Sequence, residues 1–309
     1  MKTFFTLILV SGFLISGENS TYLFLRNDVS ARATSIGGSF ITMKNDPNGI
    51  FYNPATINTL SNQKISVGFG KAFLDANYGH FALNFENDNF GNVGVGILFQ
   101  NYGSMVEIDD NENVLGNFTA NELAFVVGSA KNIYNGITLG LNTKFIFSSL
   151  SSFQSTAIAL DGGILYSIEG ANPVTLGISF LNFGTQITKY SETSEELPFD
   201  VRAGLTLKPE HLPLELNLNF IRLNESENSL VDKIKYFTIG GEFTLSKTLK
   251  FRFGYNNQKR IDLKFGSKSG MAGFSLGGGI LIKEYLIDYS YTSLGLLNSI
   301  SRITITTNF

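Results

Sequence analysis

Few residues in this chain are of the kinds that do chemistry, and their spacing assigns them none. There are two histidines, His80 and His211, and no cysteine. Disulfides, thiolate metal sites, cysteine nucleophiles and lipid attachment through cysteine are therefore excluded. His80 stands in an alternating run near Tyr78, and His211 in a short turn between Pro209 and Pro213. Neither has a carboxylate cluster at metal-ligand spacing, so both read as structural or solvated. Asp109-Asp-Asn-Glu-Asn113 is rich in oxygen donors, but position 120 is Ala where an EF-hand needs its closing Glu, and the loop glycine is missing. It reads as a solvated loop. Gly94-Val-Gly96 and Gly277-Gly-Gly279 fall inside strand-like runs rather than between a strand and a helix. That placement excludes a phosphate cradle and points to relief of crowding or a bend in a wall. No Ser–His or acidic–His set is indicated, so no catalysis, cofactor or metal is expected.

What the sequence offers instead is surface pattern. In 309 residues only 16% are charged and the net charge is -3, which gives no electrostatic case for a nucleic-acid partner. Gly (32), Phe (28) and Tyr (12) are plentiful, Pro is scarce (6) and Trp is absent, a composition suited to strands facing lipid or a tight lumen.

From Lys64 onward the chain breaks into short runs of period two. Val93, Val95, Ile97 and Phe99 share one face, with Gly94, Gly96 and Leu98 opposite. Ile137, Leu139, Leu141, Phe145 and Phe147 oppose Thr138, Gly140, Asn142, Lys144 and Ser148. Leu214, Leu216, Leu218 and Phe220 alternate with Glu215, Asn217 and Asn219; Leu249, Phe251, Phe253 and Tyr255 alternate with Lys250, Arg252 and Asn256. Such alternation gives a sheet with an oily side and a wet side. About fourteen runs can be counted, an even number in the range of bacterial barrels. They centre near Val67, Ala82, Ile97, Phe125, Leu141, Ala159, Ile178, Ala203, Leu218, Ile239, Phe253, Leu276, Tyr289 and Thr304.

The connections support closure. The third (Asn101 to about Asn121), seventh (Gly184 to about Leu197), ninth (Leu223 to about Lys233) and eleventh (Asn256 to about Gly270) are long. The fourth, sixth, eighth, tenth and twelfth are short, and the first, near Leu74-Asp75, is a short exception among the odd ones. A barrel with long loops outside and short turns inside alternates in this way. The expected fold class is thus all-β, a transmembrane antiparallel barrel rather than a soluble sandwich. The terminal Ser-Arg-Ile-Thr-Ile-Thr-Thr-Asn-Phe puts Ile303, Ile305 and the aromatic Phe309 on one face, similar to the closing strand of outer-membrane proteins.

Residues 1–17 have Lys2, an apolar run from Phe4 to Ile15 and small residues at Ser16 and Gly17, the layout of a cleaved secretory signal. The run is shorter than the ~20 residues of a membrane-spanning helix. Residues 18–62 do not alternate. Asp46-Pro-Asn-Gly49 has the composition of a β-turn, and Asn53 is placed to cap a helix that Pro54 opens. Phe40, Ile41, Ile50, Phe51, Tyr52 and Ile57 are too apolar for a solvated tail, so the segment is expected inside the lumen as a plug, followed by the barrel over 63–309.

This opening carries a resemblance. Ser30-Ala-Arg-Ala-Thr-Ser-Ile-Gly-Gly38 with Arg32, Gly37 and Gly38, then Asp46, Pro47 and Gly49, then Phe51-Tyr-Asn-Pro-Ala55 with Asn53, Pro54 and Ala55, resembles the hatch of FadL-like barrels. More narrowly it is similar to the PorV/PorQ family of the type IX secretion system. Thr21-Tyr-Leu-Phe-Leu25 is similar to that family's opening too, and Asp75-Ala-Asn-Tyr-Gly79, Gln100-Asn-Tyr-Gly103, Gly116-Asn-Phe-Thr-Ala-Asn-Glu122, Leu181-Asn-Phe-Gly184 and Leu197-Pro-Phe199 agree with the PorQ branch in particular. The resemblance implies a FadL-like barrel in the cell outer membrane, touching its lipid and working with other type IX components and secreted cargo proteins. It transfers no catalytic residue. The rival expectation is a FadL-like transporter of hydrophobic compounds, against which the inward charges Lys144, Glu215, Lys250 and Arg252 speak; a third is a purely structural barrel.

Overall fold

A strand with one lipid-like face and one polar face still carries two unpaired edges, and only closure removes them all. The chain closes. A computed structural model describes residues 20–71, 75–108, 113–225, 230–264 and 268–308. The expected signal peptide, Phe309 and residues 109–112 lie outside them. Fourteen strands form one barrel, each antiparallel to its neighbours in sequence. They are β1 (Lys64–Lys71), β2 (Asn77–Asn87), β3 (Gly91–Ile108), β4 (Val114–Tyr134), β5 (Ile137–Leu150), β6 (Phe153–Ile168) and β7 (Val174–Thr188). Then follow β8 (Asp200–Leu207), β9 (Leu214–Phe220), β10 (Phe237–Thr244), β11 (Leu249–Asn256), β12 (Phe274–Ile282), β13 (Tyr285–Ser293) and β14 (Ser299–Asn308). The seam joins β1 to β14 in unbroken register from Lys64–Asn308 to Lys71–Ser301.

Each run that alternates in the sequence is a strand, and the two faces fall as the alternation requires. Phe251 (42% exposed) and Leu141 (59%) point outward, while Arg252 (0%) and Lys144 (2%) point inward. Ile303 and Ile305 face outward too, paired across the seam with Phe69 and Val67. An exterior of this kind, apolar on every strand, is unfavourable in water and suited to hydrocarbon.

Three expectations need correction. The third connection is mostly strand: β3 and β4 continue as a hairpin to Ile108 and Val114, with register shifts after Asn101 and after Glu107. Its polar residues sit in a projecting ribbon, where neither face needs to be apolar. The fifth connection is only Ser151 and Ser152, turned by the positive φ of Ser151 (53°), so not every odd connection after the first is long. The turn at Asp46–Gly49 closes as expected, Gly49 N–H donating to Asp46 O at 3.1 Å, but it does not stand alone: Asp46 caps a 3-10 helix, Pro47–Phe51, in which Pro47 is the first residue. The local cues were right, but the capping aspartate began a helical turn.

Ser20 to Gln63 precede β1 and pack against inward-facing side chains. The segment begins at the rim opposite the one that holds Asn308, where Thr21 N–H donates to Glu196 O (3.0 Å). It passes through a one-turn helix α1 (Ala31–Ser35), then through 3-10 turns at Pro47–Phe51 and Pro54–Thr59, and reaches β1 at the rim that holds Asn308. Two further short helices, α2 (Leu230–Ile234) and α3 (Asn257–Asp262), lie in the connections before β10 and after β11.

Candidate functional site

The interior is built around α1. Ser30 caps it, its Oγ accepting from Ala33 N–H at 3.2 Å, and Ala31 N–H donates to Thr304 Oγ1 on β14 at 2.9 Å. Arg32 then leaves the helix toward β10. Its Nε and Nη2 grip Glu242 side-on (2.8 and 3.1 Å), and Nη1 reaches Asp46 Oδ2 at 3.2 Å. Glu242 also accepts from Arg252 Nε (2.6 Å) and Lys250 Nζ (2.8 Å), and Arg252 Nη1 reaches Asp288 at 2.6 Å. Three cations thus meet three carboxylates. Burial works against the charge of Arg32, but Glu242 and then Asp46 outweigh it and hold its pKa above the ordinary arginine value. Breaking such a buried set by removing one member leaves uncompensated charge.

The other motif residues of the segment are placed by glycine. Gly37 and Gly38 end α1 at φ 70° and 81°, and a Cβ on Gly37 would come within 2.8 Å of the Tyr255 backbone nitrogen. Gly49 lies so close to the Thr56 side chain that no Cβ fits. Asn53 caps the turn that Pro54 opens: its Oδ1 accepts from Ala55 N–H at 3.0 Å, and its Nδ2 donates to Ile164 O on β6 at 3.2 Å. Pro54 and Ala55 lie directly on Gly140 of β5 and Gly163 of β6, where a Cβ would overlap their backbone or ring. Gly94 and Gly96 clear space for Ile50, Phe51 and Ile57, and Gly277 for Ser35. The strand glycines are therefore seats for the segment, a more specific role than relief of crowding.

His80 faces inward on β2, 7% exposed and packed on Gly68, and its Nε2 has no hydrogen-bond partner. His211 is exposed, 4.0 Å from Glu210. Among the described residues no group of three or more His, Cys, Asp or Glu is placed to hold a metal ion. The inward charges that argued against an oily path are all in ion pairs: Lys144 with Asp161 (3.0 Å), Glu215 with Lys208 (3.5 Å), and Lys250 and Arg252 with Glu242. Glu242, Asp288 and Asp161 were not singled out in the sequence. Their signal was a charge on the inward parity of a strand, which the alternation already contains.

Two of the stretches shared with the PorQ branch meet at the far rim. Asn101 Oδ1 accepts from Gly103 N–H (2.9 Å), Asn101 Nδ2 donates to Asn121 Oδ1 (2.7 Å), and the Tyr102 hydroxyl donates to Glu122. The extra residue of this bulge changes the inward parity of β3, so that Tyr102 and Met105 line one cavity of about 600 Å³ with Leu150, Phe153, Tyr190 and Glu122. On β7, Asn182 adopts φ 62° within the strand, held by Lys144 Nζ (2.6 Å) and Asp161 Oδ1 (2.8 Å). Beyond this kink β7 pairs with β6 alone, since its ladder with β8 ends at Leu181–Asp200, and Phe183 packs edge-on against Phe199 instead.

No known family profile matches the chain, and no curated protein matches it in sequence. Solved structures do match in shape. The monoaromatic hydrocarbon channel TodX, in a mutant lacking S2 and S3, has TM-score 0.60 at 11% identity, covering 91% of this chain and 99% of that one. The toluene transporter TodX of Pseudomonas putida has TM-score 0.58 at 11% identity (91% and 97%), and a FadL homologue of Pseudomonas aeruginosa 0.54 at 10% (91% and 98%). The fold is FadL-like. None of the three is a PorV or PorQ protein.

Proposed function

We propose that this chain is a non-enzymatic outer-membrane channel of the FadL type that takes small, largely apolar compounds in at the far rim, which faces outward. The rim that holds Asn308 then faces the periplasm, and residues 18–62 act as a plug across the lumen. The far-rim cavity carries this reading: an open chamber lined by Tyr102, Met105, Leu150, Phe153 and Tyr190 in an interior whose other charges are mostly paired. The hydrocarbon channels that share the fold lend it support. The test is uptake of a monoaromatic hydrocarbon by a deletion strain and by the complemented strain. Impaired uptake restored on complementation supports the channel, and unchanged uptake removes it.

A second reading is a PorQ-like role in the type IX system, handling secreted cargo. The projecting β3–β4 hairpin favours it, because it carries the Gln100–Gly103 and Gly116–Glu122 stretches of that resemblance to the rim a partner would reach. Loss of surface display of type IX cargo with normal hydrocarbon uptake selects this reading over the first.

A further inference from the structure

The interior keeps its buried carboxylates paired, with one exception. Among the described residues Asp46, Asp161, Asp200, Glu242 and Asp288 are buried, and each has a Lys or Arg within 3.2 Å. Glu122 is buried too, though at 8% exposed the least deeply of the six, and no cation of the described residues is within ion-pair distance. Its two close partners are hydroxyls that donate to it, Tyr102 to Oε2 and Ser148 to Oε1 (3.4 Å). Both hydroxyls can donate to an ionised carboxylate, and that charge would have no counter-charge among the described residues.

Glu122 also faces the far-rim cavity. Its other charged lining residue is Glu195, a second carboxylate, and the remaining walls include the rings of Tyr102, Tyr190 and Phe153. Acid plus aromatic faces is the chemistry that recognises an organic cation: the carboxylate supplies the ion pair, the rings their negative faces, and the apolar remainder takes a hydrophobic body. We infer that this cavity selects compounds in which an apolar or aromatic body carries a protonated amine, with Glu122 as the specificity residue. The inference rests on the channel reading and narrows its substrate class.

The chain contains no Trp, so it adds no indole fluorescence of its own to that of an indole ligand. Tryptamine, neutral 3-ethylindole and anionic indole-3-propionate are titrated against the full chain in nanodiscs, with empty nanodiscs subtracted, and anisotropy is read. Tryptamine is expected to bind at least tenfold more tightly than 3-ethylindole, and indole-3-propionate more weakly than both. Glu122→Gln should bring tryptamine to the level of 3-ethylindole, both measured on the same variant. Equal binding of tryptamine and 3-ethylindole to the native chain overturns the inference while leaving a channel for neutral compounds intact. So does a preference that survives in Glu122→Gln. Binding of none of the three also overturns it, and hydrocarbon uptake then decides the channel reading separately. The comparison among the three ligands needs no variant, so it stands even if Glu122→Gln fails to fold.

Discussion

Glu242 is the residue on which most of the interior depends, because Arg32, Lys250 and Arg252 all converge on it. Replacing it with Gln keeps the shape and leaves three cations facing one another. The expected loss is about 3–5 kcal/mol, the cost of removing one partner from a buried pair. The checking measurement is the temperature at which the folded, fast-migrating band disappears on gels. Asp28 gives the pH counterpart. Burial raises its pKa, but Lys259 and then Arg302 lower it further, so the net shift is downward. A carboxyl depressed by folding contributes stability that is complete above its unfolded pKa of about 3.9 and is lost as pH falls through the lower folded value. Acid unfolding of the native chain should therefore steepen below about pH 4, and Asp28→Asn should flatten that limb while leaving the neutral plateau lower but level. A variant with the native acid limb would mean that Asp28 is not coupled to folding.

At the scale of elements, the strands were legible because period-two alternation survives wherever one face meets an apolar exterior. Every run counted in the sequence is a strand. Alternation failed where that condition lapsed, in the β3–β4 hairpin, whose residues beyond Asn101 were mistaken for loop. The cap at Asn53 was legible locally, since it binds within two residues of itself; Asp46 was legible as a turn residue but not as the cap of a helix. The partners of Arg32 were not legible: inward parity marks Glu242 as a lumen charge, but it lies 210 residues away and nothing local pairs it with Arg32. The glycine seats lie between these cases: position in a strand was readable, purpose was not. Adjacent glycines on β6 test that purpose. A Cβ on Gly162 meets nothing within 4 Å, whereas one on Gly163 meets Pro54 Cδ at 2.9 Å and the Asn53 side chain closer still. Gly163→Ala should cost about 1–3 kcal/mol by overpacking, and Gly162→Ala should be close to neutral. Thermal melts of the two variants, one residue apart, would give equal losses if the segment did not lie where it does.

At the scale of the whole molecule, orientation follows from which rim holds the short turns. The chain has no native cysteine, so single introduced thiols report cleanly. Glu192→Cys, in the connection after β7, should react with a membrane-impermeant maleimide on intact cells, and Asn135→Cys, in the turn after β4, should react only after the envelope is opened. The reverse pattern would turn the barrel over and place the aromatic cavity on the periplasmic side, removing its role as an entrance.

The hydrogen bond from Ala31 to Thr304 has a consequence for how a sheet of this length closes. The strands that form the seam, β1 and β14, are the two ends of the barrel in sequence, and bringing such distant edges together carries the largest loop-closure entropy among the strand pairings. The stretch that holds Ala31 runs covalently into β1 at Lys64, and its helix already rests on β14, so it is a tether between the two edges. Once α1 has docked, the search of one edge for the other takes place over the few tens of residues from Ala31 to Lys64 rather than the whole barrel, at a correspondingly higher effective concentration. The lumen's contents and the closing of its wall are then a single event, and a chain lacking the segment would be slow to close as well as hollow.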